Sequence, residues 1–207
     1  MEVKAFFWRE GERGELVFRD RTQLIFDGEK NECIGIKLML NPGSCEPQDG
    51  DKVIKDDAKE YQGKVDTTMR NASEIIKEAY ANELRGYTYI VNLSDRREKK
   101  PKNLSATDFK TQDHITEEIK NKINECSNQV KWIWIAFGKN SEGKDKESKE
   151  ALKKLKGDVL RLLTDKFPDK IVGRTNQHHP NFLTFPEGKT AREEVVREIK
   201  SKIEIKF

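Results

Sequence analysis

Asn41-Pro42-Gly43 closes the apolar run Ile34–Leu40, I-G-I-K-L-M-L, and offers side-chain chemistry on a rigid support. A short apolar run bounded by turn residues reads as a strand buried in a parallel sheet. Pro42 cannot donate to a ladder and Gly43 tolerates backbone that other residues avoid, so the chain must leave the sheet there. In open parallel sheets, ligands bind outside the carboxyl ends of the strands. A carboxamide delivered to that edge is a candidate site residue; the competing reading is that Asn41 only stabilises its own turn. Three further segments end the same way. Tyr87–Asn92 ends in an amide and runs into a basic loop with Arg96, Arg97, Lys99, Lys100 and Lys102. V-K-W-I-W-I-A-F stops at Phe137-Gly138, and His178-His179-Pro180 follows the short run Ile171-Val172-Gly173. Amide and imidazole groups delivered to one edge of the sheet mark a candidate site there.

Other chemistries lack their residues. No G-x-x-x-x-G-K-S/T and no G-x-G-x-x-G is present, which leaves phosphate-cradling loops unsupported. No G-x-S-x-G elbow occurs. His178 and His179 are adjacent, so in extended chain they point to opposite sides, and His114 is the remaining histidine. A histidine metal centre is not expected. Asp49-Gly50-Asp51 lacks the other ligands of a calcium loop and reads as a solvated turn. Cys33, Cys45 and Cys126 form no C-x-x-C pair, so neither a disulfide framework nor a zinc or iron–sulfur site is expected. Trp132, Trp134 and Phe137 lie inside an apolar run and read as core. The basic loop reads first as a solvated surface and second as a phosphate contact.

The elements that must position these residues alternate. Residues 1–32 read as an antiparallel hairpin or meander, with Lys4–Trp8, Leu16–Arg19 and Gln23–Phe26 as short strands. Strands are expected at Ile34–Leu40, Tyr87–Leu93, Val130–Phe137 and Ile171–Gly173. Helical spacing marks Val65–Asn82, Ile115–Cys126, Lys146–Lys166 and Ala191–Ile203. Cys45–Lys64 reads as a polar loop. This order predicts an α/β fold of three layers: a central, mostly parallel four-stranded sheet, helices on both faces, and an N-terminal antiparallel appendage. The whole of 1–207 reads as one domain, with 33–207 as the α/β core.

The 207 residues carry 34% apolar and 37% charged residues, which implies an economical core under a heavily charged surface. A formal charge of +3 excludes a histone-like polycation while allowing a local basic patch. No 18-residue apolar run and no signal-peptide pattern is found, so a cytoplasmic protein without a membrane partner is expected.

The three strand-end motifs, in this order, resemble the uracil-DNA glycosylase superfamily, over roughly Ile34–Leu183. Leu40-Asn41-Pro42-Gly43 is similar to the N-P-G form of its first motif, in the mismatch-specific branch. Ile90-Val91-Asn92-Leu93 with Arg96 is similar to the second. His179-Pro180 matches the H-P of the third, where Asn181 replaces Ser, and Leu183 stands at the wedge position. The chain also resembles an uncharacterised bacterial family with L-N-P-S, N-L-x-x-x-R, W-G and H-P motifs, in which Phe137-Gly138 would replace W-G. The resemblance implies a monomeric DNA glycosylase that needs no cofactor or metal and flips a nucleotide out of DNA. Asn41 would position water against C1′ and His179 would hydrogen-bond the departing base. Asn92 would read the base edge, with Pro42, Gly43, Ser44, Phe137 and Gly138 around it. Arg96, Arg97, Lys99 and Lys100 would hold phosphates, while Phe182 or Leu183 would fill the gap in the duplex. Gly43 stands where the classical uracil enzymes have a screening Tyr. That departure implies a pyrimidine with a bulky 5-substituent, such as the hypermodified bases of phage DNA, excised in repair or defence. Glu46, Asp49 and Asp51 are nearby acids that could assist water. The alternatives are a non-catalytic nucleic-acid-binding module and a hydrolase or binder of free nucleosides or nucleotides.

Overall fold

The computed structural model describes residues 1–12, 15–26, 32–48, 57–81, 84–126, 129–138, 143–173, 180 and 182–203. Seven strands form one mixed sheet: β1 (Glu2–Glu10), β2 (Leu16–Ile25), β3 (Cys33–Met39), β4 (Lys59–Gln62), β5 (Tyr87–Asn92), β6 (Trp132–Ile135) and β7 (Ile171–Val172). Their spatial order is β4-β1-β2-β5-β3-β6-β7. β3 runs parallel to both β5 and β6, and β6 parallel to β7. On the other side β5–β2, β2–β1 and β1–β4 are antiparallel.

The α/β class therefore holds, but the expected sheet is corrected from four strands to seven. The N-terminal strands are no appendage: β2 hydrogen-bonds directly to β5, from Thr22↔Ile90 to Ile25↔Tyr87. Part of the expected loop Cys45–Lys64 is also strand, because Lys59–Gln62 pairs with β1. Its sequence, K-E-Y-Q, is polar because it closes an exposed sheet edge, where charge discourages pairing with other chains.

Helices α1 (Thr67–Ala79) and α4 (Lys189–Ile203) pack on one face, and α2 (Gln112–Glu125) and α3 (Lys146–Lys166) on the other. Strand parity divides the two cores. Met39, Ile90, Trp132 and Trp134 join the α1/α4 core, while Ile36, Leu38, Val91, Ile133 and Ile135 join the α2/α3 core. Such two-sided burial is what makes β3, β5 and β6 read as nearly continuous apolar runs. The caps are those expected of Asp: Asp66 Oδ1 accepts from the Met69 amide at 2.8 Å and Asp145 Oδ1 from the Ser148 amide at 2.8 Å.

One irregularity decides what the sheet presents. The β1–β2 register shifts between Lys4 and Phe6, opposite Arg21, whose φ is 48°. A bulge of this kind re-aims every side chain beyond it. Val3 opposes Leu24 before the shift and Phe7 opposes Arg19 after it, and Val3, Leu24 and Phe7 all lie in the α1/α4 core. Arg19 is thereby turned toward α1, and Asp20 toward α2. Among the described residues, no helix is long and apolar enough to cross a membrane.

Candidate functional site

At the carboxyl ends of β3 and β5 the chain opens a cleft of about 450 Å³, lined by Arg19, Met39, Asn41 to Ser44, Asp66 to Met69, Ile90, Glu98, Lys99 and Pro101. The volume falls in the range of small-molecule sites. The expected residues Asn41, Pro42, Gly43 and Ser44 form one wall. Gly43 has φ 64°, a left-handed conformation that favours glycine, and this turn carries the chain over the cleft instead of onward in the sheet. Asn41 is 8% exposed, and its Nδ2 donates to the Glu98 carbonyl at 2.7 Å. That bond fixes the amide and ties the basic loop to the end of β3.

Asn92 pairs with Met39 across the β3–β5 ladder and shares the face of Ile90. It does not line the cleft. It is 1% exposed, and both its Oδ1 and Nδ2 find no hydrogen-bond partner among the described residues. A buried amide with neither atom paired is costly and calls for an explanation. The same face holds other such atoms: Arg19 Nε and Nη1, Thr22 Oγ1, Lys37 Nζ, Thr88 Oγ1 and Trp134 Nε1.

Arg19 and Lys37 were not foreseen. Arg19 is 2% exposed and lines the cleft. Lys37 is fully buried in mid-sheet, between Ile90 and Trp134 in the ladder, with Nζ 6.0 Å from the Trp134 ring centre. Burial pushes its amine down to about 7; the Asp66 carboxylate opposes this and the Arg19 charge adds to it. A lone charge inside I-G-I-K-L-M-L was a visible signal for Lys37. Nothing in L-V-F-R-D-R-T-Q distinguishes Arg19 from its charged neighbours, because only the bulge selects it.

The basic loop is built in, not loose. The Arg19 amide donates to the Asp95 carbonyl and the Arg97 amide to the Val17 carbonyl, which stitches residues 95–97 to β2. Arg96 Nη1 reaches both Asp108 oxygens, at 3.0 and 2.9 Å, and Arg97 pairs with Glu46 and the Ser44 carbonyl. The Arg97 hydrogen bond holds the Glu46 carboxyl below its ordinary value, so Glu46 is a poor base. Lys99 and Lys100 are exposed, and both border a second groove of about 490 Å³ beside the cleft.

Other expected residues lie elsewhere. Phe137 is 1% exposed inside the α2/α3 core, and the Gly138 carbonyl accepts from Lys156 Nζ at 3.3 Å, so neither borders the cleft. Leu183 is 1% exposed in the α1/α4 core and Phe182 packs against it half-buried; the exposed aromatic is Phe185, at 59%. His179, Asp49 and Asp51 lie outside the described residues, as does Asn181. Among the described residues no group of three His, Cys, Asp or Glu side chains could hold a metal ion.

Fold and site define a class: an α/β protein whose polar cleft lies at the carboxyl ends of adjacent parallel strands, beside a buried arginine and a buried lysine whose nitrogens are incompletely paired among the described residues. The chain belongs to the family described as "Protein of unknown function (DUF1643)", which matches residues 21–181. The matched span takes in the cleft residues from Asn41 to Pro101 and excludes β1. Comparison with curated proteins gives no match, and comparison with solved structures gives none.

Proposed function

We propose that this protein hydrolyses the N-glycosidic bond of a modified pyrimidine nucleotide extruded from DNA, leaving an abasic site. The observation that carries the reading is the placement of two carboxamides at the ends of adjacent parallel strands: Asn41 in the wall of the cleft, two residues past Met39, and Asn92, the ladder partner of Met39, buried with neither amide atom paired among the described residues. With Nδ2 held by Glu98, the Oδ1 of Asn41 is the acceptor available to a water. A carboxamide is too weak a base to make hydroxide. Bond breaking therefore leads, and the oriented water captures the sugar cation. The base departs with negative charge, which preorganised donors stabilise by several kcal/mol. His179 is the donor implied by the resemblance, and the buried Arg19 in the cleft wall supplies further positive potential. Gly43 adds no side chain to the cleft, which suits a 5-substituted ring.

The four parallel strands β5-β3-β6-β7 serve here as the glycosylase-like core, and the reading has a monomer at work on DNA in the cytoplasm, without cofactor or metal. The internal pairing of Arg96 and Arg97 and the burial of Leu183 favour a second reading, hydrolysis or binding of free nucleotides, because less is left over for gripping a duplex. Mass analysis of bases released from uracil-containing, hydroxymethylated and glucosylated DNA, and from the matching free nucleotides, separates the two. Asn41→Ala is expected to abolish base release while leaving ligand binding intact. Release that survives this change would remove Asn41 from the mechanism, and binding without any release by the wild type would leave a non-catalytic binder.

A further inference from the structure

We propose that the cleft contains an oxyanion subsite, formed by Arg19 and the first turn of α1, and that it takes the phosphate group of a nucleotide. The inference rests on the nucleotide reading of the cleft and names the part of the ligand this end would grip.

Arg19 carries a guanidinium, yet it is 2% exposed. Its side chain hydrogen-bonds the Cys45 thiol. Its Nε and Nη1 have no partner among the described residues, while the residue lines the cleft. A guanidinium in the cleft wall with two nitrogens that lack an acceptor among the described residues is chemically matched to two oxygens of a phosphate, which would draw it toward the cleft. The second element is α1, 13 residues long, whose N-terminal residues Thr67, Thr68 and Met69 line the same cleft. Its third and fourth amides are already engaged, Met69 with Asp66 Oδ1 and Arg70 with the Asp66 carbonyl. The first two, of Thr67 and Thr68, have no acceptor within a helix by its geometry, and the helix dipole favours an anion there.

The surrounding charges agree on balance. Asp66 and Glu98 are the acids lining the cleft, and Asp66 is already committed to its cap. Against them stand Arg19 and Lys99 in the wall and Lys37 on the same sheet face, buried and with Nζ unpaired. A protein that leaves the buried Lys37 amine and two nitrogens of the buried Arg19 guanidinium without hydrogen-bonded partners forgoes stability, as expected where a ligand completes the site.

Thermal melts and calorimetry on the whole protein test this with four probes: inorganic phosphate, deoxyuridine 5′-monophosphate, deoxyuridine and a short single-stranded oligodeoxyuridine. Phosphate and the monophosphate are expected to raise the melting temperature. The monophosphate should bind tighter than deoxyuridine by on the order of ten-fold or more, the size of one charge-assisted hydrogen bond. Tighter binding of the oligonucleotide would assign the phosphate to a DNA strand, and weaker binding to a free nucleotide. Arg19→Gln should erase the preference for the monophosphate. Arg19→Met should melt higher than wild type without ligand, because it removes an unpaired buried charge, whereas a purely structural arginine would melt lower on removal. Equal binding of nucleoside and monophosphate by the wild type, a comparison that needs no variant, would overturn the proposal. So would a preference that survives in Arg19→Gln. Base release is scored separately: phosphate binding without release sinks the glycosidase reading alone, and release without phosphate preference sinks the subsite alone.

Discussion

Lys37 carries the most instructive single-residue physics in the chain. Its amine is held down to about 7 by burial, against an ordinary value of 10.5. Between those values the unfolded chain binds more protons than the folded one, so stability rises with pH across that window and falls as pH drops through the folded value. A shift of this size corresponds to an effect on the order of a few kcal/mol. Urea unfolding at pH 7 and pH 9.5 is expected to show the wild type gaining stability and Lys37→Met gaining less. Equal gains in the two proteins would mean that Lys37 does not titrate in the window. At this scale the sequence is readable where local chemistry is decisive. Asn41-Pro42-Gly43 must turn whatever surrounds it, and it does so at the cleft. Arg19 was not readable, because its direction depends on a register shift in the β1–β2 ladder that no residue type there announces.

The elements were legible to the degree that burial is two-sided or periodic. β3, β5 and β6 announce themselves as apolar runs, and the helices by their spacing. β4 does not, since a charged edge strand has the composition of a loop and is recognisable only beside β1. Close approach is equally invisible in sequence. Gly35 lies on β3 opposite Trp132, and a Cβ built on it would fall 2.3 Å from the Trp132 ring. Gly35→Ala must therefore displace an indole that is fully buried between the sheet and α1, where Trp132 Nε1 donates to the Tyr80 hydroxyl at 3.3 Å. Overpacking of this kind costs about 1–3 kcal/mol. The urea midpoint should fall with little change in slope, and the Trp132 fluorescence environment should alter. An unchanged midpoint would show that the interface between β6 and α1 is looser than its geometry implies.

For the molecule as a whole, the bulge at Arg21 sorts two consecutive charges onto opposite faces with opposite consequences. Arg19 faces α1 with two nitrogens left without a partner among the described residues, whereas Asp20 faces α2 and joins Asp95 and Glu118 around Lys110, at 3.7, 2.7 and 3.0 Å. Burial would lower the Lys110 amine, but the three carboxylates raise it above its ordinary value. One lysine cannot neutralise three half-buried acids. Burial, with their mutual repulsion, pushes Asp95 up to about 6 and Glu118 up to about 7, although Lys110 opposes both. A carboxyl raised in the folded state stabilises below its unfolded value and loses that contribution as pH climbs through the folded one. This face therefore weakens from about pH 4 toward pH 7, while the Lys37 face strengthens above pH 7, and together they place a trough near neutrality. Glu118→Gln keeps the shape of the side chain and removes one acid. Its stability relative to wild type, from urea unfolding at pH 5 and pH 7, is expected to be higher at pH 7 by more than at pH 5. A difference that does not change between the two pH values would mean that Glu118 keeps its charge in the folded state and that Lys110 alone satisfies the cluster.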